Sequence, residues 1–154
     1  MINRKTILVL ATTFPRWEND TTPPFVYELE KRLAQDFDIA VLVPHYPGSR
    51  LTESWQNLSV HRFRYFWPEK LQQLCYDGGI FPNIKKNKWL LLEVPFLLIS
   101  EFIAAAVIIK EQKTSLIHAH WIIPQGIIAL LLNRLFLTPY IITTHGTDVY
   151  GMQN

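Results

Sequence analysis

The chain predicts a doubly wound α/β domain with a mainly parallel sheet, and three observations carry that expectation. Short apolar, β-branched runs alternate with helical stretches, an order that joins parallel strands through helical crossovers. The runs are nearly unbroken in hydrophobicity, as strands buried on both faces are. The polar oddities of the sequence fall just after three of these runs, where open α/β sheets bind ligands.

Residues 6–10 predict a first, central strand. The apolar run 7–11 that contains it is shorter than a secretory-signal core. The polar loop "TTFPRWENDTTPPF" follows, with Arg16, Trp17, Glu18, Asn19 and Asp20 as plausible ligand contacts. It has no G-x-G-x-x-G, so the usual dinucleotide fingerprint is absent. Residues 25–35 predict an amphipathic helix, with Phe25, Val26, Leu29 and Leu33 on one side and Glu28, Lys31, Arg32 and Gln35 largely on the other. Thr22, Pro23 and Pro24 suit its start. Residues 39–43 and 58–63 are the next strands, while 44–57 and 67–88 read as loops, the second with Gly78, Gly79 and the basic cluster "KKNK". Residues 90–111 predict a long helix kinked near Pro95. Residues 115–118 form a fourth strand, 124–136 a helix opened by proline, and 140–144 a fifth strand.

With 154 residues, 49% of them hydrophobic and 18% charged, the chain is long enough for one domain with a real core. A net charge of +2 without a basic, aromatic-interleaved stripe excludes nucleic acid as a partner. The single Cys75 excludes an intrachain disulfide and suits the cytoplasm. Residues 89–109, "WLLLEVPFLLISEFIAAAVII", have spanning length but contain Glu93, Glu101 and Pro95. An acidic residue near a bilayer centre costs roughly 2.5–3.5 kcal/mol, so this stretch is read as a core helix.

The chemistry concentrates in two segments. In "IHAHWIIPQG", strand alternation puts His118 and His120 on one face and Ile117, Ala119 and Trp121 on the other. That fits either a metal site or the polar floor of a pocket. His118, deeper in the strand, reads as a hydrogen-bonded core histidine, His120 as nearer the rim, and Trp121 as core or pocket wall. Pro124, Gln125 and Gly126 open a helix whose free N–H groups favour an anion or a sugar hydroxyl. In "ITTHGTDVYG", His145 ends a strand, Gly146 frees the turn, and Thr147 and Asp148 add hydrogen-bonding side chains. His145 suits a general base, a phosphate donor or a metal ligand. His118, His120, His145 and Asp148 together would suit zinc.

The segments "FPRWENDTTPPFVYELEKRLA", "IHAHWIIPQG" and "ITTHGTD", in this order and at these separations, resemble the N-terminal domain of family 4 retaining glycosyltransferases of the GT-B fold, over nearly the whole chain. The resemblance implies one of two Rossmann-like domains facing a cleft, this one holding mainly the acceptor and the other the nucleotide-sugar donor. It makes His145 the catalytic-site residue, beside the donor phosphate and reacting sugar, and His120, Gln125, Gly146 and Asp148 substrate-binding residues. Thr22, Pro23 and Pro24 stand where many members have paired glycines against the donor diphosphate. No metal is implied. Residues 1–154 contain no counterpart of the donor domain and its E-x-x-x-x-x-x-E pattern. The expectation is therefore an N-terminal domain incomplete at its C-terminal end, inactive and binding no cofactor alone, which meets the nucleotide-sugar only through the missing domain. Expected partners are a glycan or lipid-linked acceptor and an anionic membrane surface met by "KKNK" and the apolar helix after it, from the cytoplasm, peripheral on the inner membrane face. The alternatives are a non-catalytic acceptor- or membrane-binding module and a metal-dependent hydrolase using the HxH pair.

Overall fold

Thr6–Leu10 forms β1, and the computed structural model of the chain, which describes residues 4–18, 20 and 24–146, sets it in the middle of a six-stranded sheet. The other strands are β2 (Asp38–Pro44), β3 (Thr52–Trp55), β4 (Leu58–Phe63), β5 (Leu116–His120) and β6 (Tyr140–Thr143), in the order β3-β4-β2-β1-β5-β6. Every pairing is parallel except β3 with β4. The α/β, Rossmann-like class expected from the sequence is the one observed.

The helices are α1 (Phe25–Leu33), α2 (Ile80–Lys86), α3 (Val94–Gln112) and α4 (Ile127–Phe136). Alternation along each strand supplies two core layers. Leu8, Leu10, Leu42, Ile117 and Ala119 pack against Leu97, Ala105 and Ile108 of α3 and Ile128 and Leu132 of α4. On the opposite face Ile7, Val9, Val41 and Val60 pack with Val26 and Ala34 from α1 and its end, closed by Phe14 and Trp55. Burial on both faces explains why these strands carry no polar alternation.

Several boundaries differ from the expected ones for local reasons. Residues 52–55, read as loop, form the edge strand β3, and 80–86, also read as loop, form α2. Pro95 does not kink a helix. It lies in the first turn of α3, where its missing N–H costs no hydrogen bond, after a 3₁₀ stretch at Lys88–Glu93. β5 runs to His120, two residues past its expected end. α4 begins only at Ile127, because Ile122–Gly126 is a kinked turn in which Ile123 is extended (φ −125°, ψ 127°).

α3 is apolar all round. Leu97, Glu101, Ala105, Ile108 and Ile109 face inward, while Phe96, Ile99, Ile103 and Val107 are exposed. Among the described residues, Lys88–Gln112 is the one helical stretch long and apolar enough to cross a membrane by length and composition, at a mean hydropathy of 2.2. Its inner face nevertheless covers the sheet, as a core helix does.

Candidate functional site

The carboxyl ends of β1, β5 and β6 lie side by side, and the unusual residues collect there. Parallel pairing sets His118 beside Val9 and Ile141, and His120 beside Thr143. Strand alternation turns both imidazoles toward α1. That helix presents a residue the sequence reading passed over: Glu30 is wholly buried, one turn after Val26 and four residues before Ala34.

Glu30 Oε1 lies 2.9 Å from His118 Nδ1 and 3.1 Å from His120 Nε2. His118 Nε2 is 2.8 Å from Thr143 Oγ1, and His120 Nδ1 is 2.8 Å from His145 Nε2. The rings of His120 and His145 stack at 5.1 Å with a 16° tilt. His145 also packs on Phe25 at 4.8 Å and on Trp121 at 4.7 Å. The result is a chain of polar groups from the interior to the rim, Glu30 to His120 to His145, walled by two aromatics. Burial alone would push the Glu30 carboxyl up, but His118 and His120 outweigh it and hold it below the ordinary range. Burial drives the His120 imidazole down against the opposing pull of Glu30.

His145 and His120 are thus brought together as expected, but His120 is wholly buried and reaches the rim only through His145. That burial places it behind His145 rather than on the rim itself. Gln125 is also displaced from its expected place at the cleft. The kinked turn around Pro124 buries it completely in the α3 layer, where its Nε2 is 3.4 Å from Glu101 Oε1. Gly146 turns the chain with φ +78°, a conformation glycine adopts without strain. Trp121 leaves the alternation of β5 by taking φ +75°, so it packs on the α1 side and not with Ile117 and Ala119. Pro24 sits exposed just before α1. Thr22, Pro23, Asn19, Thr147 and Asp148 lie outside the described residues. The set that would suit zinc in the alternative reading changes membership: the donor atoms that converge belong to Glu30, His118 and His120, all within 4.8 Å of one another.

A second feature lies along the same rim, beyond β2. A cleft of about 350 Å³ is lined by Thr12, Thr13, Arg16, His45, Tyr46 and Asp77, among others. Arg16 pairs with Asp20 at 2.7 Å and lies over the rings of Trp17 and Tyr46 at 4.7 and 4.8 Å. The loop is held from below by Arg62, which donates to the carbonyls of Pro15 (3.1 Å) and Arg16 (3.0 Å) and to Glu53 Oε1 (3.3 Å). The sequence reading missed Arg62, although it stands in phase with the buried Leu58 and Val60. Glu30 gave the matching signal in helical phase, as an acidic residue on the buried stripe defined by Val26 and Ala34.

A parallel sheet wound on both faces, with polar residues at its carboxyl rim, is a Rossmann-like fold, and solved structures show the same fold. Two sucrose-phosphate synthase structures from Thermosynechococcus elongatus align with TM-scores of 0.58 and 0.60 at 16% and 13% identity, covering 94% and 98% of this chain. Residues 19–154 match the glycosyl transferase 4-like family, and the chain belongs to it, as an N-terminal domain of the GT-B type. A 47-residue stretch, 30% of the chain, is 38% identical to an uncharacterised glycosyltransferase of Methanocaldococcus jannaschii. The chain covers 13% of that relative and 66% and 36% of the two synthase chains.

Proposed function

We propose that this chain is the acceptor-side wall of a retaining glycosyltransferase that moves a sugar from a nucleotide-sugar to a glycan or lipid-linked acceptor. The observation that carries the reading is the placement of His145 at the carboxyl rim, oriented by His120 at 2.8 Å and packed against Phe25 and Trp121. A preorganised side chain of this kind stabilises or positions reacting groups without reorganising during the reaction. The cleft beside Arg16, Tyr46 and Asp77 offers charged and aromatic contacts suited to sugar hydroxyls and a ring face. Transfer also needs the leaving diphosphate held opposite His145, and proximity supplies a large share of the rate. The nucleotide-sugar therefore belongs to a second, donor-binding domain, and residues 1–154 alone bind it too weakly to act. Membership in a glycosyltransferase family favours this reading over a hydrolase.

The reading includes peripheral membrane contact from the cytoplasm, which one observation supports. Trp89 is 77% exposed, and Leu92, Phe96, Ile99 and Ile103 continue its stripe along the outer side of α3, beside Lys85, Lys86 and Lys88. Basic side chains near an anionic surface and an interfacial tryptophan suit such a docking. The same surface would serve a non-catalytic acceptor- or membrane-binding module.

The test is ligand-observed NMR on the purified chain with a panel of glycans, lipid-linked sugars and nucleotide-sugars, coupled to a radiolabelled transfer assay. Acceptor binding weakened in His145→Ala, without transfer, is expected. Tighter binding of nucleotide-sugars than of any acceptor would overturn the acceptor-side assignment. Transfer that disappears in His145→Ala would overturn the inactivity of the chain alone.

A further inference from the structure

Glu30, His118 and His120 are buried in the layer between α1 and the sheet, and each histidine has its outer nitrogen engaged: His118 Nε2 with Thr143 Oγ1, His120 Nδ1 with His145 Nε2. These outer contacts bear on where the protons sit. An imidazole that donates Nε2–H to Thr143 turns the lone pair of Nδ1 toward Glu30. One that donates Nδ1–H to His145 turns the lone pair of Nε2 toward the same carboxylate. With those tautomers two lone pairs and the carboxylate converge across about 3 Å, an arrangement a cation completes; with the ring protons on the inner nitrogens, the same atoms are bridged by hydrogen bonds donated to Glu30. Two further atoms bear on the same point. Glu30 Oε2 and His118 Nδ1 are both fully buried and make no hydrogen bond, Nδ1 being close to Glu30 Oε1 yet not aligned with it.

We propose that Glu30, His118 and His120 bind one divalent transition-metal ion, zinc foremost, through the Glu30 carboxylate, His118 Nδ1 and His120 Nε2. Two imidazoles and a carboxylate are a donor set that zinc accepts. Zinc–ligand bonds of about 2.0–2.1 Å in tetrahedral array separate the ligand atoms by about 3.3 Å. The observed 2.9 and 3.1 Å open slightly to reach that spacing, and the third edge, between the two imidazole nitrogens, lies within 4.8 Å. Thr143 and His145 are the outer partners that fix ring orientation and tautomer, a role hydrogen-bonded neighbours of metal-bound histidines commonly fill. A water or a group from the rim takes the fourth position. The ion ties α1 to β5, and through the outer contacts it also holds β6 and the rim histidine. It thus acts on the proposed transfer site from behind, as a clamp that sets how His145 is presented. The binding itself does not depend on transferase activity.

The test uses the purified chain, stripped with a chelator, checked for folding by circular dichroism, and titrated with Zn²⁺ and with Co²⁺ alone. One equivalent of zinc by elemental analysis, a cobalt visible band of low-coordinate intensity and a raised Tm are expected. Thr143→Ala, outside the ligand set, should keep the stoichiometry and weaken affinity roughly 10–100-fold. Glu30→Gln and His118→Gln should lose the cobalt band. A folded wild type that takes up neither ion overturns the proposal and leaves the three side chains bridged by protons. Stoichiometric binding unchanged in Thr143→Ala and in whichever ligand variants fold overturns it too, by placing the ion elsewhere. Should both ligand variants unfold, the wild-type stoichiometry and the Thr143→Ala affinity decide.

Discussion

His120 and His145, from neighbouring positions on the sheet, meet nitrogen to nitrogen at 2.8 Å with their rings nearly parallel. One is sealed in the core and the other stands at the rim, so the orientation of the rim histidine is set from the interior. The anchor of this pair is the Glu30 carboxylate, 3.1 Å from the far nitrogen of His120.

Replacing Glu30 by alanine removes the only carboxylate among the described residues that faces the two buried imidazoles, and it opens a cavity under α1. Breaking a buried charged network from one side costs about 3–5 kcal/mol. Urea denaturation at neutral pH should show a loss of this size for Glu30→Ala. A loss below about 1 kcal/mol would mean that the network contributes little to stability.

Glu101 has no exposure and, among the described residues, only Gln125 as a hydrogen-bond partner, and burial pushes its carboxyl from an ordinary 4.5 up to about 8. Between those values the folded chain holds a proton that the unfolded chain has released. The contribution is therefore fully present below about pH 4.5 and lost as pH rises through about 8, by roughly 1.4 kcal/mol per unit of pH at most. Glu101→Gln should flatten this alkaline decline and raise stability at pH 8, as read from urea midpoints across pH. Parallel pH profiles for the two proteins would show that Glu101 is ionised in the fold.

Arg62 lies under the loop that carries Arg16, and its guanidinium holds the carbonyls of residues 15 and 16. Arg62→Ala leaves those carbonyls and Glu53 without their buried donor, at a cost of about 3 kcal/mol. Limited trypsinolysis should then cleave after Arg16 many times faster than in the wild type. Unchanged cleavage would show that the loop is held by the Arg16–Asp20 pair instead.

Lys85, Lys86 and Lys88 should contribute about 1 kcal/mol apiece to binding an anionic bilayer. Sedimentation with phosphatidylserine-containing vesicles is expected to fall more than tenfold for the triple-alanine variant. Ile103→Glu, on the exposed side of α3, should reduce it similarly without altering the circular dichroism. Equal sedimentation of the triple variant and the wild type would remove the membrane reading.

The strands of the parallel core were legible because double burial writes them as continuous apolar runs, as in residues 6–10 and 39–43. β3 was not, because Thr52–Trp55 lies at an edge with only Trp55 buried, and so carries the composition of a loop. The amphipathic reading of α1 put Phe25 and Leu29 inside, yet both are exposed, and Glu30 takes the inward place. An acid there has meaning only beside histidines 88 and 90 positions further along, a pairing created by tertiary packing alone. Trp121 illustrates a different limit. The two-residue period holds within β5 and lapses one residue past its end, where the backbone turns through a positive φ. The position of His145 was legible, since a histidine just before a turning glycine at a strand end is a local pattern.

The two borders of the sheet are chemically unlike. β3 runs against its neighbour and shows Thr52 and Ser54 to solvent, whereas β6 runs with its neighbour and exposes Ile141 and Ile142. Edge-on addition of another strand is discouraged by a polar border and favoured by an apolar one with unpaired backbone groups. Growth of the sheet is therefore directional. Among the described residues, β6 is the border better suited to take a further strand, beside the carboxyl rim that holds His145.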